Sequence, residues 1–316
     1  MQKRLASETE IHKFAQFEFF QQWEKLRSHC TRRGISIMGD IPIYVAHDSA
    51  DVWAHPELFR LDEQAKPTAV AGVPPDYFSA TGQRWGNPLY RWDVSDASGH
   101  RWWINRFRAS LKLFDLVRLD HFRGFEAHWE VPASASTADA GKWVKGPGAQ
   151  FFQALQTELK ELPFVAENLG VITPEVEALR RQFGFPGMSL LQFAFGSDPQ
   201  GPTFRPYNYS RELVAYTGGH DNDTTVGWWT SSGGGEHSNR RRHPQGTRFH
   251  PRVLGVSKRA HQLGIYSQRT GVCGRDRHHT FTRCIGPRHR SPNEFAGHGK
   301  WKLEMALRRE GFDEGR

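Results

Sequence analysis

The sequence predicts an α/β fold, read as a (β/α)8 TIM barrel that is incomplete: early strands are absent, and an out-of-frame tail replaces the last. Three observations predict it. Helical stretches alternate with short apolar strands, the pattern of a parallel sheet. Polar residues gather where those strands end, the face on which such barrels place their chemistry. No glycine-rich phosphate loop follows any strand, which disfavours an open dinucleotide-binding sheet.

The elements follow in order. Phe14, Phe17, Phe20, Trp23 and Leu26 recur at helical spacing between Glu8 and Arg33, and Gly34 ends that helix. The run from Ile35 to Val45 reads as a buried strand emptying into a loop. A second helix, Trp102 to Phe114, feeds the strand Asp115–Asp120. A third, Phe151 to Leu162, feeds Pro163–Glu167. Ser189–Phe195 and Leu213–Tyr216 are further candidate strands. Residues of about 41–100 read as one long aromatic substrate loop, since long connections in compact domains are usually functional.

The aromatic content is high, with 11 Trp and 22 Phe in 316 residues, and no apolar run reaches membrane-spanning length. Cys30, Cys273 and Cys284 fit neither a disulfide framework nor zinc spacing. With no signal-peptide pattern, the expectation is a cytoplasmic enzyme with no membrane partner and no metal. The net charge of +8 points at first to nucleic acid, but its distribution argues otherwise. Residues 231–316 hold fifteen Arg, three Lys and seven acidic residues, a net of +11, leaving a net of −3 for residues 1–230.

Cleaving a glycosidic bond with retention requires one carboxylate as nucleophile and one carboxylic acid to protonate the leaving oxygen. Asp120 and Glu167 end successive strands, which a barrel brings face to face. Arg118 lies two residues before Asp120 on the same side of the strand, where a cation favours the ionised nucleophile. His220 and Asp221 close the site from a later strand. Asp223 competes with Asp221, but its place suits capping the following turn. In the aromatic stretch, Trp53, Tyr77, Phe78, Trp85, Tyr90 and Trp92 offer faces for glucose rings. About half are expected simply to pack, with Trp85 on substrate and Trp53 structural. Asp76, Arg84 and Asn87 are suited to sugar hydroxyls.

These motifs resemble the amylomaltase (4-α-glucanotransferase) family. Gly39-Asp40-Ile41-Pro42-Ile43-Tyr44-Val45-Ala46 is similar to its first barrel motif, and Gly82-Gln83-Arg84-Trp85-Gly86-Asn87-Pro88 to its substrate loop. Arg118-Leu119-Asp120-His121-Phe122-Arg123-Gly124 resembles its nucleophile strand and Ala166-Glu167-Asn168-Leu169-Gly170 its acid/base strand. Gly218-Gly219-His220-Asp221-Asn222-Asp223 resembles the strand of its third carboxylate, with glycine at 219 where the family usually has threonine. The likeness runs over about residues 11–229. It implies Asp120 as nucleophile, Glu167 as general acid/base and Asp221 as transition-state stabiliser, with Asp40, Arg118 and His220 gripping the sugar. It also implies maltooligosaccharides and other α-1,4-glucans as partners, and no cofactor. A family segment preceding the first helix is expected to be missing.

Beyond Trp229 hydrophobic periodicity vanishes. The basic runs Arg240–His243 and Arg275–His279 lack the interleaved aromatics of a nucleic-acid arm and the spacing of a metal site. The chain therefore reads as a partial catalytic barrel over 1–229 and a largely disordered, out-of-frame tail over 230–316. Codons allowed for Thr280–Ala306, read one base later, can spell a run containing the RMN, PGT and GNW elements that the resemblance associates with the last barrel strand.

Overall fold

The computed structural model describes residues 5–76, 79–195, 200–230 and 282–284. Tyr77, Phe78 and the expectations for the basic runs, the frame and the order of 231–316 lie outside them, Thr282–Cys284 excepted.

Helix α1 (Ala6–Arg32) matches the helical spacing, yet none of its residues is buried. Phe14, Phe17 and Phe20 stay more than half exposed. Its tether is short: Trp23 Nε1 donates to the Leu113 carbonyl at 2.9 Å, and Arg27 pairs with Asp115 at 2.9 Å. Strand β1 (Met38–Pro42) follows. Gly39 within it is required by contact, because a Cβ there would meet the Phe114 ring at 2.1 Å.

The stretch 41–100 is not one loop, which corrects the sequence expectation. It holds α2 (Ala50–Ala54), β2 (Ala69–Val73), β3 (Gln83–Pro88) and α3 (Trp92–Ala97). Strand β3 reads Gln-Arg-Trp-Gly-Asn-Pro, a composition poor in strand formers, so tertiary pairing with β2 overrides local preference. Trp53 in α2 is 85% exposed, so it is not the packed structural residue expected. Tyr90 and Trp92 do pack inward. The Tyr90 hydroxyl donates to the Ile43 carbonyl at 2.8 Å.

Helix α4 (Arg101–Leu113) buries Trp103, Ile104 and Phe107 and delivers β4 (Leu116–Asp120). Strands β5 (Ala127–Pro132) and β6 (Lys142–Lys145) follow, then α5 (Gly148–Leu159), which buries Phe151, Phe152 and Leu155 and leads to β7 (Phe164–Ala166). After α6 (Pro174–Gln182) comes β8 (Gly187–Leu190), shorter than the strand expected over 189–195 because Leu191–Phe195 tightens into a 3-10 helix. Strand β9 (Leu213–Tyr216) falls where expected, and α7 (Thr225–Thr230) follows it.

Strands β1, β4 and β7 form a parallel sheet in that order. Strands β8 and β9 are a second parallel pair, joined to β7 where Ala166 N donates to Pro186 and Met188 N to Asn168 Oδ1. Strand β10 (Thr282–Cys284), within the stretch expected as a largely disordered tail, pairs antiparallel with β9. The layer β3-β2-β5-β6 is antiparallel and was not foreseen. Among the described residues the architecture is thus an α/β fold with partial sheets, not a closed eight-stranded ring. An aromatic cluster of Trp103, Phe107, Phe125, Phe151 and Phe164, packed in stacked, tilted and edge-on pairs, fills the core.

Candidate active site

Parallel pairing sets Asp40 of β1 opposite Arg118 of β4. The guanidinium then bridges two carboxylates, with Nη1 2.6 Å from Asp40 and Nη2 2.8 Å from Asp120. Its side chain is only 12% exposed, so the fork is locked in place. Despite this cation the Asp120 carboxyl is raised above its ordinary value. Burial is the largest cause; Arg118 opposes it, while the Asp40 and Asp221 charges add to it. The hold expected from Arg118 is present but outweighed.

Glu167 directly follows β7 and is buried. Its Oε2 accepts from the His121 backbone N–H at 2.8 Å and its Oε1 from that of Leu169 at 2.9 Å. Burial and then the Asp120 charge push its carboxyl from the usual 4.5 up to about 7, against the pull of Arg118 and these two donors. A carboxyl in this state can hold a proton near neutral pH while its orientation stays fixed.

His220 and Asp221 arrive from the loop after β9 and are largely exposed, with His220 Nε2 3.4 Å from Asp221 and 4.0 Å from Asp40. Asp223 turns away: its Oδ1 accepts from Thr224 N at 2.7 Å beside the start of α7.

One cleft of about 790 Å³ gathers Asp76, Trp85, Asn87, Arg118, Asp120, Glu167, His220 and Asp221. Asp40 is not on its lining and reaches it through Arg118 and His220. Asp76 is turned into its own loop, accepting from Ser79 N at 2.9 Å. The Asn87 amide donates to the Val45 carbonyl at 3.0 Å, pinning β3 to the loop after β1. Arg84 donates to Ala133 instead of facing the cleft. Trp85 is 39% exposed and stands edge-on to the His121 ring at 4.8 Å.

Sequence reasoning missed His121, Arg123 and Trp143 on the cleft wall. His121 adopts a left-handed backbone (φ 52°) that turns its N–H toward Glu167, and burial lowers its imidazole to about 3, so the ring is neutral. The available signal was its place beside Asp120 in the quoted motif. For Trp143 there was none, since β6 was not recognised. No group of His, Cys, Asp and Glu among the described residues is arranged to hold a metal ion, and no described helix is long and apolar enough to cross a membrane.

The fold and cleft define a class: an α/β protein whose strand-end carboxylates converge on an aromatic-walled groove. The family model described as 4-alpha-glucanotransferase matches residues 1–279, and the chain belongs to that family. It is 60% identical over 226 residues to a 4-alpha-glucanotransferase of Thermus thermophilus and 59% identical over 228 to one of Synechocystis sp., covering 71% of this chain and 45% of each relative. The chain thus spans about half the length of these relatives. An amylomaltase from Streptococcus agalactiae in complex with acarbose superposes with TM-score 0.70 at 39% identity, over 78% of this chain and 50% of that one.

Proposed function

We propose that this chain carries the catalytic cleft of a 4-α-glucanotransferase, moving α-1,4-glucan segments to the 4-hydroxyl of an acceptor sugar by a retaining double displacement. The observation that supports it best is Glu167, raised to about 7 beside Asp120, just past the end of the neighbouring parallel strand and in the same cleft. Asp120 attacks the anomeric carbon as Glu167 gives its proton to the departing glycosidic oxygen, leaving a glycosyl ester on Asp120. Glu167, now a carboxylate, takes the proton of the acceptor 4-hydroxyl as that oxygen displaces Asp120. Asp221 stabilises the positive charge developing on the sugar ring. Arg118 orients Asp120, and Trp85, Asp76 and Asn87 bound the groove. The substrates are maltooligosaccharides and related α-1,4-glucans, a reading supported by the acarbose complex of the Streptococcus protein.

A second reading, an inactive glucan-binding portion, is favoured by the half-length coverage of the relatives. Incubation with maltotriose separates the two. Glucose together with longer chains supports transfer, binding without turnover supports the second reading, and neither result overturns both. The division into a catalytic part over 1–229 and an out-of-frame stretch over 230–316 remains part of this proposal. Resequencing the gene between the codons of Trp229 and Ala306 tests it, and a base-shifted frame that does not encode the RMN, PGT and GNW elements sinks it.

A further inference from the structure

Beside the main cleft lies a second cavity of about 230 Å³, and the two share Arg123, Trp143 and Val171 as walls. Val171, Thr173 and Glu175 put the loop that follows Glu167 on the wall of the second cavity, so this cavity lies on the acid's side of the cleft. The shared wall is built rigidly. Arg123 is buried, with Nε donating to the Ala127 carbonyl at 3.4 Å and Nη1 to that of Val171. Its guanidinium carbon lies 3.7 Å from the centre of the Trp143 ring. The Trp129 indole meets the same ring edge-on at 5.1 Å. Trp143 is therefore held from two sides, yet remains 39% exposed. Polar groups border the second cavity: the Lys145–Glu126 ion pair and Glu175.

We propose that Trp143 is a sugar platform, a binding position for an α-1,4-linked glucose residue beyond the reacting bond on the leaving-group and acceptor side. This rests on the glucan-processing reading above. The side follows from chemistry: the acid protonates the oxygen between the attacked sugar and the next one, so a groove running on past Glu167 receives the departing arm or the incoming acceptor. A fixed indole suits a sugar because the apolar face of a pyranose stacks on it, and little side-chain freedom is left to lose on binding. The rim charges supply partners for the ring hydroxyls. Trp85 serves the reacting centre, whereas Trp143 measures chain length.

The test is binding by the whole chain to maltotriose and to maltoheptaose, followed by calorimetry and by the indole N–H signals in NMR. Trp143→Ala is expected to bind maltoheptaose roughly tenfold more weakly than the parent while maltotriose affinity is unchanged. Trp143→Phe is expected to recover most of the loss. In the parent, maltoheptaose but not maltotriose is expected to shift the Trp143 indole signal, a readout that needs no variant to fold. An equal loss of affinity for both glucans in Trp143→Ala, no loss for either, or an unshifted Trp143 signal with maltoheptaose bound, overturns this inference alone. A parent chain that binds neither glucan overturns the functional reading and this inference with it.

Discussion

The parallel strands and the antiparallel layer face the same cleft but build their halves of it by different physics. On β1, β4 and β7 the working groups are charged and tied down. Arg118 holds Asp40 and Asp120, while two backbone donors hold Glu167. On β3 and β6 they are aromatic, Trp85 and Trp143, set by ring contacts and a guanidinium stack. Burying charges is costly and leaves their protonation sensitive to every neighbour, whereas burying rings is favourable and tolerant of exchange. Substitutions on the parallel side should therefore be severe and pH-dependent, and those on the antiparallel side graded by ligand size.

The largest effect expected is for Asp120→Asn, which keeps shape but removes the oxygen proposed to attack. Maltotriose disproportionation, measured in a chain carrying the full family length, should fall by more than about 10³-fold. Loss of tenfold or less would assign the attack elsewhere and erase the contrast between the two sides.

Glu167→Gln sharpens the comparison through pH. Because the proposed acid must be protonated, the parent rate should fall as pH rises through about 7. That limb should vanish in the variant assayed with an activated aryl donor, which needs no proton. Stability falls in the same direction. A carboxyl raised from 4.5 to about 7 supports the fold fully below the lower value and loses that support as pH climbs through the upper one. The variant should thus gain up to about 3 kcal/mol over the parent at pH 8 and little at pH 4. Equal melting shifts at both pH values would refute the burial of an ionisable Glu167.

The smallest effect is expected outside both halves. Phe14→Ser on α1 should change stability by no more than about 0.5 kcal/mol, since the ring is 64% exposed. Phe151→Ala in the shared core should cost about 3–5 kcal/mol. Denaturant melts of the two variants measure the difference, and a large Phe14 effect would mean that α1 contributes a buried face after all.

Legibility followed the same division. The parallel side could be read from the sequence because helix α4 and strand β4, or α5 and β7, are contiguous in the chain and each carries its own period. The antiparallel layer escaped because β3 contains Gly86, Asn87 and Pro88 and exists by pairing with β2, with nine residues between them in the chain. Strands β5 and β6 pair across a short return that carries no strand signal of its own. Trp53 shows the limit from the other direction: an aromatic side chain in the sequence does not reveal whether it faces a core.

The sequence by itself determined the candidate residues. Asp120 and Glu167 stand where short apolar runs end, a local property, while Asp40 and Arg118 interrupt such runs at the centres of β1 and β4 and His220 and Asp221 follow β9. Tertiary structure alone decided that one guanidinium joins Asp40 to Asp120, that Asp40 stands back from the cleft, and that Arg123 props Trp143 into it. It also decided the protonation of Glu167. A carboxyl's affinity for its proton depends on how much water and charge surround it, and both are set by chain segments far apart in sequence.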